Sequence, residues 1–182
     1  MKKIIITYLL TCFFLTAFSQ TYLTRNGNIS FYSHTPLEDV QAQNNEAVSI
    51  LNASTGDLEF KVAVQSFHFV KTAMEEHFNS NDYMASEKYP KAGFTGKILK
   101  ISSVNFSKDG VYKITVNGDL TIRDVTKPIT ATGTITVNNG SITVTSTFTI
   151  KRKDYHVIGE SFVQKKLSDD IQVTVNCQYE KQ

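Results

Sequence analysis

Alternation of apolar and polar residues dominates the sequence. Residues 57–65 show it most clearly, with an apolar side chain at every second position from Leu58 to Val64. The pattern recurs in four later segments, which are residues 111–122, 129–137, 142–150 and 171–179. A period of two is typical of β-strands with one buried and one exposed face. The spacing predicts roughly eight to ten strands, most of them joined by short turns.

Turn signals separate several of these segments. Asn26-Gly27 divides residues 22–33 and predicts a hairpin with a type I′ turn, because Asn and Gly accept positive φ angles. Asn138-Asn139-Gly140 predicts a second turn and residues 105–110 a third. A two-sheet sandwich and a closed barrel both fit alternating antiparallel strands, so the pattern alone leaves both open.

One segment departs from the β pattern. Residues 71–79 bring Met74 and Phe78 to one face at helical spacing, and Glu75 and Glu76 are expected to point outward. This spacing predicts a single short helix. A helix of this length is marginal in isolation, so we expect it to pack across the strands.

The first 19 residues have the features of a signal peptide. Lys2 and Lys3 precede an apolar run from residue 4 to residue 18, and Ala17-Phe18-Ser19 fits a cleavage site. The run is short for a membrane span, and no later stretch is long enough for one. We therefore expect residues 20–182 to form one domain exported to the periplasm or outside the cell. A buried N-terminal helix and a lipoprotein signal ending at Cys12 are the alternatives.

Charge and cysteine content narrow the function classes. The sequence has 19 Lys and Arg against 17 Asp and Glu, and without Lys2 and Lys3 the two counts are equal at 19 − 2 = 17. The lysines are scattered among acids, so no nucleic-acid surface is expected. Cys177 is the one thiol beyond the signal segment. It shares a strand face with Ile171 and Val175, which favours a buried, unreactive thiol over a reactive one.

The sequence lacks the common catalytic and metal-binding patterns. His34, His68, His77 and His156 show no zinc spacing. No Gly-x-Ser-x-Gly turn or glycine-rich phosphate loop occurs. Adjacent glutamates on a helix do not face each other as an acid–base pair. We expect no catalytic residue, no metal and no cofactor.

Three blocks carry a resemblance to a known family. They are His77-Phe78 with Asp82-Tyr83, Glu87-Lys88-Tyr89-Pro90 and Phe94-x-Gly96-x-Ile98; Gly118 to Ile122 with Val125 to Pro128; and Thr147 to Ile150 with Arg152, Asp154 and Tyr155. In this order they resemble the YceI-like family over most of residues 27–179. The resemblance implies an all-β, extended, lipocalin-like antiparallel barrel of about eight strands, with the helical insertion near residues 71–79. It also implies a long apolar channel for polyisoprenoid lipids.

Two positions differ from the usual family pattern. Met74 stands where many members have arginine, so any head-group role of that arginine is not expected here. Asp124 stands where glycine is usual, and Asp accepts a positive φ angle better than most residues.

The resemblance suggests which side chains face the channel. The expected lining residues are Phe31, Phe60, Val62, Val64, Phe67, Met74, Phe78, Tyr83, Met84, Phe94, Ile98, Ile114, Val116, Ile135, Phe148 and Ile150. Of these, Phe67, Met74, Phe78, Tyr83 and Met84, together with Phe69, are expected to form a lid or one end of the channel. An ordinary filled core is the alternative. His77 is expected either to contact a lipid head group or to act as a structural cap.

The predicted function is that of an exported, non-catalytic carrier for a long-chain isoprenoid or acyl lipid, with an isoprenoid quinone or polyprenyl compound as the family-based expectation. A structural or stress-associated barrel with a filled core is the main alternative, and a lipid-modifying enzyme is a third. A homodimer through edge strands stays open, as does the identity of the lipid.

Overall fold

A computed structural model describes residues 20–35, 39–160, 164 and 167–182. The signal peptide predicted for residues 1–19 therefore lies outside the described residues. The elements are β1 (Thr21–Ser33), β2 (Val40–Asn52), β3 (Asp57–Ala63), β4 (His68–Phe69), α1 (Thr72–Asn79), β5 (Lys91–Ile98), β6 (Gly110–Ile122), β7 (Val125–Asn138), β8 (Ser141–Lys151) and β9 (Asp170–Lys181). Short 3₁₀ turns lie at Val64–Ser66, Ile101–Ser103 and Arg152–Tyr155.

The strands close into an antiparallel barrel. Neighbouring strands follow the order β1-β9-β8-β7-β6-β5-β3-β2, and pairing between β1 and β2 completes the ring. β4 adds a two-residue pairing to the edge of β2, where Ala42 lies opposite Phe69. This closure confirms the predicted eight-strand, lipocalin-like barrel and decides against a sandwich. α1, the one α-helix among the described residues, confirms the predicted insertion.

The predicted Asn26-Gly27 hairpin is wrong. β1 runs without interruption from Thr21 to Ser33, and its register with β2 shifts on either side of Gly27. The pair therefore lies in a β-bulge inside one long strand. A Cβ at Gly27 would lie 2.6 Å from Cys177 Sγ and 3.0 Å from the Ala47 carbonyl oxygen. Glycine is needed here for close backbone approach to the core, not for a turn.

The turns between β7 and β8 and between β6 and β7 both contain positive φ angles. Asn139 and Gly140 have φ angles of 48° and 79° and connect β7 to β8, which confirms that turn. In the turn between β6 and β7, the positive φ angle of 55° belongs to Arg123 and not to Asp124. The Arg123 guanidinium donates to the main-chain carbonyls of Tyr83 and His156, so its side chain ties this turn to two other segments.

One end of the barrel is packed solid, and we call it the filled end. Its centre consists of fully buried side chains, which are Leu51, Ile98, Ile135, Ile142 and Cys177. Tyr22 and Tyr179 lie beside them at 2% exposure each. Ser49 Oγ donates to the Glu59 carbonyl at 2.7 Å, so the Tyr179 hydroxyl is the donor in its 2.6 Å contact with Ser49 Oγ. Buried polar groups at this end are therefore paired.

Cys177 is a free, fully buried thiol, as the sequence predicted. Burial raises the pKa of the Cys177 thiol to about 11. The reactive thiolate is therefore scarce at neutral pH, which fits an unreactive core residue.

β2 and β3 separate from each other partway along the barrel wall. The two strands pair only over Val48–Leu51. Beyond that point the side chain of the fully buried Asn44 links β2 to the end of β3. Its amide N–H donates to the Ala63 carbonyl at 2.9 Å, and its amide oxygen accepts from the Glu46 N–H at 2.8 Å. The 3₁₀ turn Val64–Ser66, β4 and α1 follow this divergence in the chain, and α1 itself has no buried residue.

Glu75 was expected on the outward face of the helix, but it turns back toward β4. Its carboxylate accepts the Phe69 N–H at 3.2 Å and lies 3.6 Å from His68 Nδ1. The contact fixes the start of α1 against the short strand.

Candidate functional site: an apolar cavity

The end of the barrel opposite the filled end encloses a cavity of about 410 Å³, and we call it the open end. This volume falls within the range of roughly 300–1,000 Å³ that is usual for ligand sites. All eight barrel strands contribute side chains, joined by the helical segment and the 3₁₀ turn Arg152–Tyr155. Val144 and Ile150 on β8 both line the cavity and are six positions apart, so the cavity follows that strand for about 20 Å.

Thirteen of the sixteen apolar residues expected in the channel line this cavity. They are Phe31, Phe60, Val62, Phe67, Met74, Phe78, Tyr83, Met84, Phe94, Ile114, Val116, Phe148 and Ile150. The cavity therefore gathers residues from the predicted strands and from the predicted lid.

The other three expected residues do not line the cavity. Ile98 ends β5 and Ile135 lies three residues before the end of β7, both in the filled end, and Val64 lies on a 3₁₀ turn, where the alternation of the preceding strand stops. All three have 1% exposure or less. These three side chains are therefore buried without lining the cavity.

Part of the lining was not predicted from the sequence. The additional apolar residues include Ile29, Leu58, Leu120, Ile122, Ile129, Ala131, Val144, Val157, Leu167, Ile171, Val173 and Val175. Those on strands share the period-two phase of the predicted residues, so the same signal could have found them. Val157 and Leu167 lie outside the strands and carry no such signal.

Four phenylalanines join the helical segment to the barrel. The Phe31 ring, from β1, lies 5.5 Å from Phe67, 5.8 Å from Phe69 and 5.5 Å from Phe78, measured between ring centroids. Phe78 also lies 5.1 Å from Phe69 and 5.7 Å from Phe67. These tilted and offset contacts favour aromatic association. They attach α1 although no residue of the helix is buried, and all four rings face the cavity.

His77 lies at the margin of the cavity. Its side chain is exposed, and its ring stacks on Tyr83 with 6.5 Å between centroids and 4° between planes. The contact places an imidazole and a phenol together at this margin. Burial, followed by the charge of Glu160, raises the pKa of the Tyr83 phenol.

Two polar residues of the cavity wall are deeply buried. Arg152 has 6% exposure and Tyr155 has 2%, and both belong to the 3₁₀ turn that follows β8. Burial raises the pKa of the Tyr155 phenol, which keeps it neutral. Both residues belong to one of the blocks that carry the family resemblance, but neither was predicted to be part of the site.

The chemistry available in the cavity is mostly that of apolar surface. Within the described residues, no group of three His, Cys, Asp or Glu side chains could hold a metal ion. Cys177 does not line the cavity. No helix among the described parts of the chain has the length and apolar character to cross a bilayer. The arrangement suits an extended apolar ligand.

Structural comparison places this barrel among solved proteins. BcnA of Burkholderia cenocepacia superposes with a TM-score of 0.70 at 17% identity, over 85% of this chain and 96% of that one. A polyisoprenoid binding domain from Saccharophagus degradans, implicated in plant cell wall breakdown, gives a TM-score of 0.76 at 14% identity, over 89% and 98%. A Campylobacter jejuni YceI protein gives 0.63 at 21% identity, over 82% and 90%. These similarities establish the shared fold.

Sequence comparison identifies the family. The UPF0312 protein plu2095 of Photorhabdus laumondii is 33% identical over 78 residues, which are 43% of this chain and 36% of that protein. Protein YceI of Escherichia coli O6:H1 is 39% identical over 59 residues, or 32% and 27%. The matches thus span about a third of these relatives or less. The YceI-like domain, by contrast, matches residues 21–179. The chain therefore belongs to the YceI-like family.

Proposed function

We propose that this protein is an exported carrier that holds one long-chain isoprenoid or acyl lipid in its barrel without altering it chemically. The observation that carries the proposal is the apolar cavity of about 410 Å³ at the open end. A barrel stabilised by packing alone would have no need of this space, since unfilled apolar volume reduces stability. The alternative of a wholly filled core describes only the other end of the barrel.

Burial energy explains why such a site needs few polar groups. Each buried CH₂ contributes roughly 0.8 kcal/mol relative to water, so a five-carbon isoprene unit contributes about 4 kcal/mol before costs. A bilayer offers the lipid a similarly apolar environment, so transfer from membrane to cavity is nearly neutral in free energy. Selectivity must then come from cavity shape and from contacts at the polar end of the lipid.

Two further observations support the proposal. A structurally similar protein is described as a polyisoprenoid binding domain, which is consistent with the same use of this fold. The predicted signal peptide would deliver the domain to the periplasm or beyond, where a carrier could shield a lipid from water. The cavity lining is mostly apolar, which favours binding over catalysis.

The first test is extraction of purified protein, beginning at residue 20, with organic solvent followed by mass spectrometry. We expect a long-chain lipid at close to one molecule per protein. The delipidated protein should then rebind that lipid from vesicles. Failure to recover or rebind any lipid with folded protein would contradict the carrier function.

A pair of substitutions on β7 tests the location of the lipid. Ala131 faces the cavity, and its neighbour Thr132 is exposed on the outer face. Ala131→Phe should fill part of the cavity and lower lipid affinity at least tenfold, while Thr132→Phe should leave affinity unchanged. Equal effects of the two variants would place lipid binding elsewhere.

A further inference from the structure

Arg152 is a buried cation in the wall of an otherwise apolar cavity. Its Nε donates to the Ser168 carbonyl at 2.8 Å, and its Nη1 donates to the carbonyls of Val157 and Ile158 at 2.8 and 2.6 Å. Nη2, which carries two N–H bonds, makes one contact among the described residues, a long one of 3.4 Å to the Gln164 carbonyl. The guanidinium thus holds the segment after β8, and among the described residues one N–H of Nη2 has no acceptor.

These contacts solvate the charge of Arg152 but do not neutralise it. All four acceptors are neutral main-chain carbonyls, and no ion pair within the described parts of the chain involves Arg152. A buried charge without an opposite charge is costly, which makes a bound anion at this position favourable.

The neighbouring acidic groups have other contacts. Asp154 pairs with Lys127 at 3.0 Å, and Asp169 accepts the Lys153 N–H at 3.2 Å. Glu160 and Asp82 act electrostatically on Tyr83, as Arg152 also does. Asp154 and Asp169 therefore already have partners, and no carboxylate among the described residues forms an ion pair with Arg152. An anion from outside the chain would supply that charge partner.

We propose that Arg152 binds an anionic head group, a carboxylate or a phosphate, on the lipid whose chain lies in the cavity. The inference rests on the proposed function, since it needs a chain in the barrel to bring the head group to this position. Guanidinium N–H bonds to these anions are short, strong and geometrically selective. Tyr83, Tyr155 and Ser168 also line the cavity, and the Ser168 hydroxyl already donates to the Asp170 carbonyl at 3.1 Å.

Ligands matched in chain length separate the head group from the tail. Delipidated wild-type protein would be titrated with palmitate, hexadecyl phosphate and hexadecanol, all below their aggregation concentrations. We expect the carboxylate, the phosphate or both to bind at least tenfold more tightly than the alcohol, which corresponds to about 1.4 kcal/mol. The relative affinity of the two anions identifies which of them the site favours.

The pH dependence of binding gives a second measurement that needs no variant. Affinity for palmitate should fall toward that of hexadecanol as the ligand carboxyl becomes protonated. Hexadecanol controls for titration of protein groups near the rim, which include His77, Asp82, Asp154, Glu160 and Asp169 as well as the pair formed by His156 and Asp124.

Variants at two arginines separate head-group binding from structural support. Arg152→Gln should lower affinity for the anions more than affinity for hexadecanol, so that the preference for anions is lost, and Arg152→Lys should restore part of that preference. Arg123 also holds main-chain carbonyls at this end, those of Tyr83 and His156, but it does not line the cavity. Arg123→Gln is therefore the matched control, expected to lower stability and to keep the preference for anions.

The outcomes distinguish the two proposals. If wild-type protein binds none of the three ligands and no other lipid, the carrier function fails, and this inference fails with it. If anions and alcohol bind equally, or a neutral quinone binds better than either anion, the carrier function stands and the head-group assignment is overturned. The head-group assignment is also overturned if Arg152→Gln and Arg123→Gln reduce the anion preference equally.

Discussion

The filled end and the open end of this barrel are built from the same eight strands, but they pack differently. At the filled end, Leu51, Ile98, Ile135 and Ile142 meet at exposures of 1% or less. At the open end the continuing inward faces carry smaller residues at several positions, including Ala92, Ala131 and Gly133. Side-chain volume therefore changes along the barrel while the alternation of the strands does not.

Strand pairing also differs between the two ends. β7 and β8 pair from Asn138 opposite Ser141 only as far as Gly133 opposite Ser146. Beyond that point both strands continue without pairing to each other, and the ion pair of Lys127 with Asp154 spans the gap. Separation of strands enlarges the enclosed space, so the cavity depends on backbone arrangement as well as on side-chain size.

The largest expected difference between the two ends is in the free energy of unfolding that is lost when a leucine at each end is truncated to alanine. Leu51→Ala should reduce the free energy of unfolding by about 3 kcal/mol, because a fully buried side chain is lost from close packing. Leu120→Ala, on the cavity wall, should cost only about 1 kcal/mol, since Leu120 already borders open volume. Denaturant unfolding measures both values.

Lipid affinity provides a second test of the difference between the two ends. Leu120→Ala should alter lipid affinity, whereas Leu51→Ala should not alter it as long as the protein remains folded. Equal losses of stability for the two variants, with equal effects on binding, would show that the ends are packed alike.

Substitution of Gly27, in the β-bulge, should have the next largest effect on stability. Gly27→Ala should lower the free energy of unfolding by about 2 kcal/mol, because the new methyl group would meet Cys177 Sγ and the Ala47 carbonyl. In a Cys177→Ala background the penalty should shrink, since one of the two obstructing atoms is gone.

Gly110→Ala serves as the control for that substitution. Gly110 also lies on a strand, but a Cβ there meets only the Tyr112 ring at an ordinary contact distance of 3.4 Å. Its effect should stay within about 0.5 kcal/mol. A Gly27→Ala variant as stable as Gly110→Ala would contradict the close packing inferred at the bulge.

The smallest expected effect is a loss of stability in alkali that originates at the filled end. Burial raises the pKa of the Cys177 thiol from 9.0 to about 11, and it also raises that of the Tyr179 phenol. Because the folded pKa is the higher one, the stabilisation is complete below the unfolded value and is lost as pH rises from about 9 toward 11. Cys177 alone should cost roughly 1 kcal/mol by pH 10.

Thermal unfolding at several pH values measures this dependence. Cys177→Ala should flatten the profile between pH 9 and pH 10 relative to wild type. An unchanged slope would show that Cys177 does not cause the alkaline loss of stability.

Much of the barrel was predictable because alternation is a local signal. Ile129, Ala131, Gly133, Ile135 and Val137 were predicted to share a face, and the first three line the cavity while the last two are buried. The helix was also predictable from the spacing of Met74 and Phe78. Asn26-Gly27 led to a wrong prediction, because the same dipeptide suits a tight turn and a bulge, and distant packing against Cys177 decides between them.

The sequence by itself determined which residues face inward, where the helix interrupts the strands and that Cys177 is buried, because these follow from periodicity over short distances. The resemblance of its motifs pointed to the family and the barrel. Only the tertiary structure decided that Ile98 and Ile135 belong to the filled end while Ile114 and Phe148 line the cavity, and that Arg152 lies in its wall. Those distinctions depend on strand register and on where neighbouring strands separate, and both are set by contacts between residues far apart in the chain.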